Sequence, residues 1–320
     1  MMGVPNTTAV TEFLLAGLTD NSDLKHILFT FFLVIYTLTL FQNMGLIVLI
    51  SSNSQLHTPM YSFLCHLSLL DICYSSSVSI RMLMDFVSDK RSISVAGCGF
   101  QMFSYAGFGG TECFLLAAMS YDRFVAICHP LSYLQMMSKQ TVVILLVLCY
   151  LGGFLNAVVE TCFSLLHLDF CEPRPHIHHF YCDVIALIVI SCGDTRLNQL
   201  ILFSFVGFIE LSSLLVILVS YLYIIISVVR IRSSTGRKKA FSTCASHLTV
   251  VTLFYGTIIF MYLRPSTAYS PEQDKVIAVF FTIIIPFLNP LIYSLRNRDV
   301  KTSAKKLGVS LKKMGSFAVL

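Results

Sequence analysis

Seven stretches of this chain are long and apolar enough to cross a lipid bilayer, roughly residues 26–51, 59–83, 98–128, 140–162, 197–229, 241–263 and 275–295. A hydrocarbon core about 30 Å thick is spanned by about 20 residues of helix. In lipid a chain must satisfy its own backbone N–H and C=O groups, so spans of this length are helices and not open strands. The third and fifth exceed one crossing, which predicts tilt or extension beyond the bilayer. Charged residues make up 12% of the 320, against about 25% in a soluble domain, so charge cannot cover a water-facing surface. The expected fold is all-α, a seven-transmembrane helix bundle. No linker, low-complexity tract or internal repeat divides it, so one domain is expected.

Basic residues collect at 230–239, at 296–306 and at Lys312 and Lys313. Lys/Arg-rich connections stay cytoplasmic, which predicts an extracellular N-terminus (1–25), a helix bundle (26–296) and a cytoplasmic tail (297–320). Acids then gather outside, among them Glu12, Asp20, Asp23, Asp85, Asp89, Asp169, Glu172, Asp183 and Asp194. Asn6-Thr7-Thr8 becomes a glycosylation acceptor on that face. The first 25 residues lack a basic-then-apolar leader pattern, so the first span is expected to act as an uncleaved anchor. No aromatic residues interleave with the basic clusters, so the expected contact is the lipid bilayer and no nucleic acid.

Of eleven cysteines, most lie in apolar runs, where free Cys behaves as a small hydrophobe. Cys98, Cys171, Cys182 and Cys192 fall in or beside polar connections on the expected outer face, which permits disulfides. Four cysteines allow three pairings, and spacing does not choose among them.

Ionisable groups at bilayer depth are costly and mark function. Asp71, Glu112 and Glu210 lie inside spans, and Asp122-Arg123 closes the third. Tyr105, Gly109, Glu112, Leu116 and Arg123 are separated by steps that keep one stripe of a helix. A phenol, a carboxylate and a guanidinium thus follow one another along a polar interior axis. Asp71 and Glu112 could approach Asn289 and hold a cation such as sodium, or share a proton, since two buried carboxylates do not both stay ionised unaided. The plainer alternative is that Glu112 only caps a neighbouring hydroxyl. Pro286 and Pro290 beside Asn289 interrupt the seventh span, as a hinge or as a static kink. His176, His178, His179 and Cys182 have the composition of a zinc or copper site, provided Cys182 is a free thiolate.

Asp122-Arg123, Asn289-Pro290-Leu291-Ile292-Tyr293 and the Cys at the top of the third span resemble the rhodopsin-like G-protein-coupled receptors. Longer strings resemble odorant receptors: Leu56-His57-Thr58-Pro59-Met60-Tyr61, Met119-Ser120-Tyr121-Asp122-Arg123-Phe124-Val125-Ala126-Ile127-Cys128, Lys239-Ala240-Phe241-Ser242-Thr243-Cys244 and Pro286-Phe287-Leu288-Asn289-Pro290, together with Ser220-Tyr221 and the outer-loop cysteines. The pattern is similar to the tetrapod-expanded class. Ser120, Phe124 and Gln42 depart from the residues usual there, and none removes a charged or hinge residue.

The resemblance implies a short amphipathic helix after the seventh span and roles for particular residues. Arg123 would be held by Asp122 at rest, and Tyr221 and Tyr293 would close over it on activation, with Asn289 and Pro290 as the hinge. Cys98 would pair with Cys182, and Cys171 with Cys192. The implied partners are a small, mostly apolar volatile odorant and the olfactory stimulatory G protein, with cyclic AMP as output; export chaperones are a further candidate. The implied location is the plasma membrane of sensory cilia. By position, the ligand would lie among the outer halves of spans three, five, six and seven, near Tyr105, Phe108, Gly109, Phe205, Ile209, Ile258, Ile259, Tyr262 and Thr282. No acid stands at Tyr105, so an amine of the neurotransmitter kind is not expected.

Rival readings are a non-olfactory chemosensory receptor of the same fold and a transporter. A transporter would call for inverted repeats or a ring of pore charges. An enzyme would need a nucleophile with its base or a metal-binding helix motif, and neither pattern is present.

Overall fold

The structure is a computed structural model, and it describes residues 10–88, 90–231, 233–262, 271–296, 300–303 and 305. The expected glycosylation site at Asn6 lies outside these residues.

A short strand, β1 (Glu12–Leu15), precedes α1 (Ser22–Ser52), α2 (Pro59–Val87), strand β2 (Ser92–Ser94) and α3 (Val95–Cys128). A single turn, α4 (Tyr133–Met136), leads into α5 (Lys139–Leu166), which is followed by strand β3 (His176–Ile177) and the short α6 (Val184–Ile190). Then come α7 (Arg196–Arg230), α8 (Ser234–Tyr262) and a seventh span built from α9 (Pro271–Val279), a π-helical turn (Phe280–Ile284) and α10 (Ile285–Arg296). Of the expected helix after the seventh span, Val300–Ser303 are described, and they are helical.

The seven spans form the predicted bundle, and α3 and α7 are the longest at 34 and 35 residues. At about 1.5 Å per residue each runs to roughly 50 Å, well past one hydrocarbon core. Helix starts follow from local chemistry. Asn21, Ser94 and Ser138 accept backbone N–H groups at the heads of α1, α3 and α5, satisfying donors that a first turn leaves unpaired.

The bundle is inverted relative to a soluble protein. Val143, Val147, Leu151, Leu155 and Val158 form an exposed apolar stripe along α5, and Phe208, Leu211, Leu215, Leu218 and Leu222 do so along α7. Their steps of three and four residues make one continuous face on each helix. Asn43, Asp71, Glu112 and Asn289 are at most 1% exposed. The helices α1, α2, α5, α7 and the stretch Glu272–Ser294 are long and apolar enough to cross a membrane by composition alone. The polar groups of α3 and α8, among them Glu112, Arg123 and His247, are turned inward.

α3 is the central helix and packs most heavily against α5 and α7. Glycine permits the α3–α5 crossing. A Cβ on Gly153 would press on the backbone N of Thr111 and lie 2.8 Å from Gly107 O. Small residues let helix backbones approach where lipid offers no hydrophobic drive to association. Gly153→Val should therefore lower the thermal midpoint of detergent-solubilised protein, in line with an overpacking cost of about 1–3 kcal/mol. An unshifted midpoint would rule out this close approach.

The all-α expectation holds for the bundle but omits a small sheet at the end carrying the disulfides. Its order is β2-β1-β3: β1 runs antiparallel to β2, with Phe13 opposite Ile93, and parallel to β3, with Leu14 opposite His176. Phe13 and Leu15 are buried, at 0% and 3% exposure. The chain leaves the sheet through Gly17, whose φ of 73° favours glycine, while Arg91 donates to the carbonyls of Ala16 and Thr19 and pairs with Asp20 at 2.9 Å. Strands of two to four residues from three distant segments leave no periodic trace in the sequence.

Candidate functional site

At the disulfide end a cavity of about 100 Å³ opens between α3, α5 and α7, with Ile258 of α8 and Phe281 of the π turn at its sides. Tyr181 and Asp183, between β3 and α6, cover it together with Val184 and Ile185 at the start of α6. Cys98 is bonded to Cys182 with Cα atoms 5.4 Å apart, and Cys171 to Cys192 at 6.1 Å. The first bond ties this cover to the head of α3, where Gln101 Oε1 accepts the N–H of Cys182 at 3.0 Å.

Of the expected lining residues, Tyr105, Gly109, Ile209 and Ile258 face the cavity. Phe108, Phe205, Ile259 and Thr282 are not among its lining residues. Phe108 packs edge-on against Phe154, with ring centroids 5.3 Å apart. Phe205 and Ile259 are 46% and 43% exposed on the outer face. Thr282 is fully buried and donates its hydroxyl to Ala278 O at 2.7 Å. The side chain of Tyr262 lies outside the described residues. For the three apolar ones the cause is helical phase: adjacent residues point about 100° apart, and Phe108, Phe205 and Ile259 fall on the side of their helices turned away from the residues that line the cavity.

Sequence reasoning missed one whole wall, Asn156 and Glu160 of α5. The signal was present, since Glu160 is a carboxylate inside the fourth apolar run. Asp183 also reaches the cavity, although its role is partly structural. Its Oδ1 accepts from the N–H groups of Ile185 and Ala186 and caps α6, while Oδ2 accepts from the Tyr181 hydroxyl at 3.4 Å. Burial raises the Asp183 carboxyl above its usual range, opposed by those hydrogen bonds.

The His176, His178, His179 and Cys182 group does not assemble as a metal centre. His176 and His178 are exposed, and the sulfur of Cys182 is consumed in a disulfide. His179 is buried against Phe180 and Tyr181, with ring centroids at 4.8 and 4.4 Å. That burial, with Lys275 adding to it, pushes its imidazole down to about 3, so it is neutral at physiological pH. Among the described residues no three His, Cys, Asp or Glu side chains converge as metal ligands.

Below the cavity, α2, α3 and α10 meet in a polar core. Asn289 Nδ2 donates to Asp71 Oδ1 at 2.9 Å and to Glu112 Oε1 at 3.4 Å. Asp71 Oδ2 and Asn289 Oδ1 have no partner among the described residues. Pro290 cannot donate to the carbonyl four residues earlier, that of Pro286, and Asn43 Nδ2 of α1 supplies the missing bond at 3.2 Å. The π turn just before Pro286 is a second local relaxation of the helix ladder.

At the opposite end Arg123 is 8% exposed. Among the described residues it forms no ion pair with Asp122, which lies within its electrostatic reach and whose Oδ1 accepts the Tyr133 hydroxyl at 2.8 Å. Arg123 lies within electrostatic reach of Tyr221, His247 and Tyr293. His247 of α8, which sequence reasoning also missed, joins three helices. Its Nδ1 is 2.8 Å from the Tyr221 hydroxyl on α7, and its Nε2 is 3.1 Å from Leu116 O on α3. His247→Ala should lower the thermal midpoint, because it cuts two buried bonds and orphans the Tyr221 hydroxyl, at about 1–3 kcal/mol for each unsatisfied group. A midpoint equal to that of the parent would show that these contacts do not hold α8.

The sequence profile of the olfactory receptor family matches residues 32–310. Mouse (Mus musculus) olfactory receptor 5AR1 is 50% identical over 306 residues, covering 96% of this chain and 98% of that protein. The human (Homo sapiens) 5AR1 is 49% identical over the same shares, and mouse 5AP2 is 51% identical over 302 residues, covering 94% of this chain and 95% of its own. The chain belongs to the olfactory receptor family. Squid rhodopsin matches with a TM-score of 0.69 at 18% identity, covering 89% of this chain and 81% of its own, which shows the shared seven-helix fold. As a member of the olfactory receptor family, the protein is a multi-pass plasma-membrane receptor of the G-protein-coupled class and not an enzyme.

Proposed function

We propose that this olfactory receptor binds a small, mostly apolar odorant in the cavity between α3, α5 and α7, and signals through a stimulatory G protein that raises cyclic AMP. The observation that carries this reading is the cavity itself, walled mainly by apolar groups with a few polar ones under a disulfide-anchored cover. Such enclosures bury small ligands by dispersion and orient them by one or two hydrogen bonds. The disulfide end would face outward, with the N-terminus extracellular, Asn6 glycosylated and the basic tail cytoplasmic, in sensory cilia. The lysine and arginine bias supports this orientation.

The polar core between the two ends has the chemistry for a sodium ion or a shared proton. Asp71, Glu112 and Asn289 supply oxygen donors, and the orphaned Asp71 Oδ2 and Asn289 Oδ1 fit a hard cation. A bound sodium ion would offset one of the two negative charges and hold α2, α3 and α10 together.

An odorant panel on cells expressing the full chain, read with a cyclic-AMP reporter, tests the reading. A concentration-dependent rise that disappears when the stimulatory α subunit is deleted is expected. A ligand response that runs unchanged without that subunit would refute the coupling.

A further inference from the structure

The cavity has an acidic wall and no base to match it. Glu160 and Glu210, from α5 and α7, line it together with Asp183. Among the described residues no Lys, Arg or His lines it. Lys275 of α9 pairs with Glu272 at 2.9 Å instead. Asp183 is occupied as a helix cap, whereas Glu160 is 8% exposed and receives one side-chain hydrogen bond, from Asn156 Nδ2 at 3.3 Å. Asn156, which also lines the cavity, is 7% exposed, and its Oδ1 has no partner among the described residues.

A carboxylate removed from water requires a cation, a proton or several donors, and a buried amide oxygen requires a donor. One ammonium group meets both needs, because it offers a positive charge and up to three N–H donors. It would also relieve the mutual electrostatic influence of Glu160, Glu210 and Asp183. The remaining wall, including Ala106, Val206, Ile209 and Ile258, suits a hydrocarbon body. At about 100 Å³ the cavity is smaller than the roughly 150 Å³ that accepts benzene, so the body is short or the walls yield slightly.

We propose that the preferred ligand is a small aliphatic or alicyclic amine, bound as its ammonium against Glu160 and Asn156 with Glu210 facing it. This deepens the odorant-receptor reading and rests on it. It also reverses the sequence-based expectation against amines, which considered only the Tyr105 position; the acids come from α5 and α7.

The test compares propylamine, 1-propanol and propanoic acid on cells expressing the full chain, with a cyclic-AMP reporter, and on the purified receptor by thermal midpoint. Propylamine should act at a half-maximal concentration about tenfold below that of the alcohol, the margin of one charge-assisted hydrogen bond, and the acid should be inactive. Glu160→Gln should remove that advantage, and Glu210→Gln, in which the α5 wall is intact, should reduce it. An equal or stronger response to the alcohol or the acid overturns the proposal while leaving the receptor reading in place. If propylamine raises the midpoint of the parent but not of Glu160→Gln, and cyclic AMP does not rise, the amine site stands and the coupling reading fails. No midpoint shift with the amine overturns the amine site.

Discussion

Arg123→Ala should abolish ligand-stimulated cyclic AMP in transfected cells while leaving surface display largely intact. Arg123 ends the interior stripe of α3 and remains 8% exposed at the mouth opposite the cavity. Among the described residues no carboxylate forms an ion pair with it: Asp122 lies within electrostatic reach, and its Oδ1 accepts the Tyr133 hydroxyl. A guanidinium is always charged and presents up to five donors in a planar fork, which suits a carboxylate or backbone carbonyls from a cytosolic partner. The alanine variant removes that fork without placing any group against the bundle. Arg123→Lys keeps the charge but loses the fork, so an intermediate loss of signal is expected. Flow cytometry of the intact-cell surface beside the reporter separates coupling from folding. Undiminished signalling by the alanine variant would exclude Arg123 from coupling.

Cys98→Ser should cause the largest loss of stability and surface display of any single change in the cover. The bond to Cys182 closes 84 residues, both cysteines are fully buried, and the bond fixes the segment that roofs the cavity. The loop-closure argument gives an upper value of about 4–5 kcal/mol for a bond of this span. The Cys171–Cys192 bond closes 21 residues and joins two exposed cysteines, where the same argument gives about 3 kcal/mol. The expected order of thermal midpoints is therefore parent, then Cys171→Ser, then Cys98→Ser. A Cys98→Ser receptor as stable as the parent would show that the roof is held by other contacts. Ligand sensitivity should follow the same order, because a loose roof admits water to the acidic wall.

Much of this was legible in the residues. Span length and low charge determined a seven-helix membrane bundle, since a bilayer tolerates only backbone that satisfies itself. The stripe from Tyr105 to Arg123 announced that α3 is the interior helix, and α3 is indeed central. The motifs around Asp122-Arg123 and Asn289-Pro290 carried the family.

The cavity was half legible. Gly109, Ile209 and Ile258 lie there as expected, but Phe205 and Ile259 do not, because a rotation of one residue turns a side chain from interior to lipid and both faces are apolar. Hydrophobicity does not distinguish lipid from core, so where a segment carries only apolar residues its helix phase has no sequence signature in this solvent. Contacts between distant segments were equally hidden. The bond from Asn43 to Pro286 O spans 243 residues, and the short strands pair segments that no local pattern connects.

By itself, then, the sequence determined the span number, the family and the inward turn of the charged groups, because each is a local consequence of burying backbone and charge in lipid. The tertiary structure alone decided which carboxylates share the cavity, which partner Asp122 takes and how His247 joins α3, α7 and α8. Those are outcomes of helix rotation and packing, set by the close approach of glycines such as Gly153 and not by the character of any one segment.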